Sequence, residues 1–111
     1  MSTIGNELAT RSLTLGDKEV TVTIFTPSSS EKYGGDCVCY YKIVGIAGME
    51  ESKRAIGIDG MQALFLALQR IGTDLYTSAE WRSGLLLWEG GRVIGDLGFP
   101  VPDSIKDIPP A

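Results

Sequence analysis

Two cysteines stand one residue apart at Cys37-Val38-Cys39, and three carboxylates, Asp59, Glu89 and Asp96, lie beside apolar neighbours. On a strand the two thiols would share a face, roughly 6.5 to 7 Å apart along it, a poor distance for a disulfide. As a metal pair they would need two more ligands. The chain has no histidine, so those ligands would be carboxylates, a mixture that zinc does not favour. Burial as small apolar groups is the expected role of both cysteines. Carboxylates need no imidazole for acid–base work. Asp59, however, stands where a helix would need an N-cap, and Asp96 lies between Gly95 and Leu97, where an Asx-type turn accounts for it. The residues therefore assign no catalytic group, no metal ligand and no cofactor.

The absence of histidine removes Ser-His-Asp and Cys-His nucleophiles and imidazole bases. Glycine is abundant, 14 in 111 residues, and yields three G-x-x-G stretches at Gly45–Gly48, Gly57–Gly60 and Gly95–Gly98. In RNA-binding KH loops that pattern lets backbone approach phosphate. Here the inserts are apolar or acidic, no G-x-G or G-K-[ST] occurs, and the glycines read as turns and strand ends. Ten basic against fourteen acidic side chains give a formal charge of −4. Neither half carries the basic stripe that phosphate binding requires, so nucleic acid and anionic membrane are not expected partners. No signal-peptide pattern opens the chain and no apolar run approaches the ~20 residues of a membrane span. A cytoplasmic protein is the expectation.

The elements that would hold these residues are legible from periodicity. Arg11–Leu15 and Val20–Phe25 alternate as the strands of a hairpin turning at Gly16-Asp17-Lys18, with Leu15 opposite Val20 and Leu13 opposite Val22. Pro27 ends the second strand, and Ser28–Gly35 is a polar connection. Cys37–Ala47 is apolar on both faces, which predicts a central strand covered on both sides. Arg54–Ile58 is a short return strand. Asp59 with Gln62 forms a capping-box variant, followed by an apolar stripe of Met61, Leu64, Phe65, Leu68, Ile71 and Leu75. Gly72 is a candidate stop, although the stripe permits one more turn to Tyr76. Leu85–Trp88 and Arg92–Leu97 make a last hairpin around Glu89-Gly90-Gly91.

These elements predict an α+β fold, a mostly antiparallel sheet of about six strands against one main helix in the order β-β-β-β-α-β-β. Residues 1–111 form one domain in this reading, with a proline-rich tail at 99–111. The helix covers one face of the sheet, leaving the tail or a second subunit as candidates for the other.

From Gly57 onward the sequence resembles a family of small uncharacterised bacterial proteins, a domain of unknown function. The resemblance rests on Gly57-Ile58-Asp59-Gly60-Met61-Gln62-Ala63-Leu64, Ala67-Leu68, Ile71-Gly72, Leu87-Trp88 and Leu97-Gly98-Phe99-Pro100, and spans about residues 35–100. It implies a bacterial, cytoplasmic α+β domain and carries no activity.

Trp81, between Glu80 and Arg82, and Leu66, opposite the helix stripe, are the spare apolar groups. With Arg82, Asp59 and Asp96 they form the candidate binding set. Two functions follow as expectations: a non-catalytic interaction or accessory module, immunity-like in type, whose partner is another protein or a second copy; and a small ligand-binding domain or carboxylate enzyme using Asp59, Asp96 and a tyrosine around a pocket between helix and sheet.

Overall fold

Alternation of apolar and polar residues from Glu7 to Phe25 produces the first two strands in a computed structural model that describes residues 5–88 and 95–100. β1 (Glu7–Leu15) and β2 (Lys18–Phe25) pair antiparallel, with Leu13 opposite Val20 and Leu15 opposite Lys18. The turn is therefore the two residues Gly16-Asp17, not three, and the expected register moves by two positions. Gly16 adopts φ 63°, the left-handed conformation that such tight hairpins require. Because side chains alternate with period two, the shift leaves every apolar residue on its expected face.

Beyond Pro27, the stretch expected as a plain connection forms β3 (Ser28–Ser29) and a short 3-10 turn (Glu31–Tyr33). β4 (Cys37–Val44) and β5 (Lys53–Gly57) follow, and β6 (Leu86–Trp88) pairs with β1. All five pairings are antiparallel. β2 and β3 share one edge of β4, since both overlap the stretch that pairs β5 on the other edge. The sheet order is thus β5, β4, β2 extended by β3, β1, β6. The expected α+β architecture holds, but the sixth strand is β3. The expected return strand Arg92–Leu97 and its turn fall mostly outside the described residues, and Gly95–Leu97 is not strand. The tail from residue 101 also lies outside them.

β4 is central, and among the described residues it is covered on one side. Cys39, Tyr41 and Ile43 are buried on the inward face, whereas on the outer face Val38 alone is buried, Tyr40 and Lys42 are half-buried and Val44 is exposed. The strand also ends at Val44, short of Ala47, where Gly45 turns with φ 115°.

Helix α1 (Gly60–Tyr76) begins where expected. Asp59 Oδ1 accepts from the Gln62 N–H at 2.8 Å, and Gln62 Oε1 accepts from the Ile58 N–H at 2.6 Å. Both side chains satisfy backbone donors that the first turn leaves open. The stripe that packs on the sheet differs from the expected one. Ala63, Ala67, Ile71 and Leu75 are buried, Leu64 and Leu68 flank them, and Met61 and Phe65 face out. Small alanines at the contact bring the helix axis close to β4 and β5. A Cβ on Gly57 would lie 2.5 Å from the Ala63 nitrogen. Gly72 does not cap the helix, which runs one further turn. A second short helix, α2 (Ala79–Arg82), is capped by Ser78. Among the described residues no helix is long and apolar enough to cross a membrane.

Candidate functional site

Strand alternation puts Ala9, Arg11, Leu13 and Leu15 on one face of β1, opposite Ile24, Val22, Val20 and Lys18 of β2. Val20, Val22 and Ile24 are core residues, so Arg11 is a cation on the inward face of the sheet. Its guanidinium stacks over Trp88, 4.2 Å from the ring centroid, and over Phe99 at 4.9 Å. Nη1 donates to the carbonyls of Leu97 at 3.2 Å and Gly98 at 2.8 Å.

The same short segment is held from α1 and α2. Trp81 Nε1–H donates to the Gly95 carbonyl at 3.2 Å, and the Leu97 N–H donates to the Tyr76 hydroxyl at 2.8 Å. Tyr76 in turn donates to Asp96 Oδ1 at 3.4 Å. Burial, and after it the Asp96 charge, pushes the Tyr76 hydroxyl pKa upward. Residues 95–98 are therefore a strap fastened by three side chains from β1, α1 and α2. Beneath its continuation, Phe99-Pro100, an apolar cavity of about 270 Å³ separates α1 from β1 and β2, with Ala9, Arg11, Val22, Ile24, Leu68 and Ile71 in its walls.

A second cleft, about 470 Å³, lies between α1 and the β5 edge, with Tyr41, Lys53, Leu66, Arg70 and Asp74 in its lining. Asp74 Oδ2 accepts from the Tyr41 hydroxyl at 3.1 Å and from Lys53 Nζ at 3.2 Å. Burial, reinforced by the Asp74 charge, drives the Tyr41 pKa well above its ordinary 10.0. The phenol is thus a fixed donor to Asp74. Lys53 is exposed enough that its ion pair contributes little beyond positioning.

The structure brings Trp81 and Asp96 together at Tyr76 and the strap, and places Asp59 and Leu66 elsewhere. Asp59 is the α1 cap, its Oδ1 engaged by the Gln62 N–H. Asp96 accepts from the Gly98 N–H at 2.7 Å, the expected Asx turn. Trp81 is buried at 7% exposure, edge-on to Tyr76 with ring centroids 5.0 Å apart, so it packs and does not serve as an exposed anchor. Its neighbour Arg82 is exposed, and Leu66 is half-buried in the second cleft instead of lying free opposite the packed stripe. Cys39 is fully buried and its thiol donates to the Phe25 carbonyl at 3.2 Å. Burial raises that thiol to a pKa of about 11. Cys37 is half-buried and free. No group of three or more potential metal-binding side chains occurs among the described residues.

Arg11 was not among the candidates, yet it is a cation on the inward face of the sheet, stacked on two rings. One signal in the sequence points to it: in the alternation Leu15, Leu13, Arg11, Ala9 it occupies a position that the pattern reserves for an apolar residue.

No curated protein and no solved structure matches the chain. Residues 9–101, which include the first hairpin, the helix and the strap, match the family described as Domain of unknown function (DUF6968), and the chain belongs to that family.

Proposed function

We propose that this protein is a non-catalytic interaction module that pairs with a second copy of itself through the outward face of α1. The observation that carries this reading is the exposure of Met61 (82%) and Phe65 (53%), one turn apart on the helix, beside Ile58 at 78%. Large apolar side chains grouped on a surface helix favour burial against a partner. Charge selects the partner. From Gly60 to Gln69 the helix has no charged residue, whereas the whole chain carries −4. Two copies repel each other unless they meet at a neutral face, and a two-fold contact about α1 supplies a self-complementary one. Asp59 and Asp96, the carboxylates that an enzymatic reading would need, are engaged in a helix cap and a turn.

Sedimentation across a wide concentration range tests the proposal. The unaltered chain is expected to show a monomer–dimer equilibrium, and Phe65→Glu with Met61→Glu to sediment as a monomer with unchanged helical circular dichroism. A wild-type chain that remains monomeric at every concentration overturns it.

A further inference from the structure

A guanidinium on the inward face of a sheet loses hydration and is retained there only with compensating partners. Arg11 has two neutral carbonyls, both bound through Nη1, and two aromatic rings. Among the described residues it makes no ion pair, since the one ion pair there is Lys53–Asp74. Its Nη2 and Nε make no hydrogen bond there either. The rings clamp the plane of the fork, so the remaining donors are held in a fixed direction, and no carboxylate among the described residues receives them. A clamped fork of that kind matches the two oxygens of a carboxylate. The adjoining cavity is lined by Val22, Ile24, Leu68 and Ile71 and holds about 270 Å³, just under the usual range of about 300 to 1,000 Å³ for small-molecule sites.

We propose that this cavity binds a small amphipathic carboxylate, a medium-chain or aryl acid, with its carboxylate on Arg11 and its apolar body between α1 and β2. Fastening the strap explains Nη1 alone. It explains neither the half of the fork that has no partner among the described residues nor an apolar cavity ending on a cation. The site is on the opposite flank of α1 from the Lys53–Asp74 cleft.

Calorimetry and amide NMR on the full chain with octanoate, octanol and acetate test the site, each ligand kept below any micellar concentration. Octanoate is expected to bind saturably and about tenfold or more tighter than octanol, the worth of a charge-assisted hydrogen bond, with acetate too short to bind. Arg11→Met is expected to erase the preference for octanoate over octanol. Leu68→Trp, which fills the cavity from the helix and leaves Arg11 in place, is expected to abolish binding while the spectrum stays that of a folded protein. Octanoate binding no tighter than octanol, absence of saturable binding, or undiminished binding to Leu68→Trp overturns the proposal and leaves Arg11 as a fastener only. If Arg11→Met fails to fold, the octanoate–octanol comparison on the unaltered chain and the Leu68→Trp result decide the question.

Discussion

Gly72 in α1 and Pro100 in the strap are in direct backbone contact, the Pro100 carbonyl occupying the space that a Cβ at position 72 would take. A glycine inside a helix costs about 1 kcal/mol relative to alanine, and here that cost is offset by the close approach of the C-terminal segment. Helix propensity alone would have Gly72→Ala stabilise the protein by about 1 kcal/mol. The contact reverses the sign: a net loss of about 1 to 3 kcal/mol is expected, because the strap must move or the helix must shift. Urea unfolding of the variant, read by far-UV circular dichroism, gives the answer.

The cap at Asp59 is worth about 1 kcal/mol. Asp59→Ala should therefore lower stability by that amount, and Asp59→Asn by much less, since the amide oxygen still accepts from the Gln62 N–H. Gln62→Ala removes the second half of the cap. A double-mutant cycle of Asp59→Ala and Gln62→Ala is expected to show non-additive losses, because both side chains fix the same turn.

Trp81 separates packing from hydrogen bonding. Trp81→Phe keeps an aromatic ring against Tyr76 but removes the donor to the Gly95 carbonyl, and a loss of about 1 kcal/mol is expected. Trp81→Ala opens a cavity as well, for about 3 to 5 kcal/mol. Denaturant midpoints of the two variants with unchanged m-values would establish both figures.

Alkaline pH should unfold the protein through groups that are neutral in the core. The Cys39 thiol rises from 9.0 to about 11 on folding, and the Tyr41 and Tyr76 hydroxyls are also raised. A folded-state pKa above the unfolded one means that the unfolded chain releases its proton first. Stability is then fully present below about pH 9 and falls as pH climbs from 9 toward 11 for Cys39, with the tyrosines adding to the fall from about pH 10. The urea midpoint should be flat from pH 7 to 8.5 and decline above pH 9, and Cys39→Ala should flatten the first part of that decline. Thiol titration supplies a companion measurement: Cys37 should react in the native state and Cys39 only on unfolding.

Local chemistry was readable from the sequence wherever a few neighbouring residues decide the outcome. Asp59 and Gln62 cap α1 as their spacing indicates, Pro27 closes β2, and Asp96 makes its turn. The phase of α1 was not readable. Residues 61 to 68 are apolar at every position except Gln62, so periodicity has no polar face against which to orient the stripe. Weighting the large residues selects Met61 and Phe65, whereas closeness to β4 and β5 selects Ala63 and Ala67. That choice depends on the partner surface, with Gly57 pressed against Ala63, and the helix sequence alone does not contain it. The hairpin register differs for a smaller reason: pairing Leu15 with Val20 leaves four residues, 16 to 19, outside the ladder, and the tight turn at Gly16-Asp17 leaves two. The cover expected over the outer face of β4, where Tyr40 is half-buried and Val44 exposed, is the tail or a second copy, and neither is among the described residues. Arg11 was missed because a lone charge in an alternating strand passes as a surface residue until its parity is compared with Leu13 and Leu15.

The fastening of Arg11 to Leu97 and Gly98 spans 86 and 87 positions of sequence. Contacts of that separation form late, after the entropy of closing nearly the whole chain has been met. During synthesis, a chain still short of residue 97 can hold the β1–β2 hairpin and the capped start of α1, but its inward-facing, half-buried cation has no carbonyls to receive it. The inward arginine thus makes completion of the cavity coincide with arrival of the strap, so a nascent or proteolytically shortened chain presents an open apolar trough where the finished protein has a walled cavity.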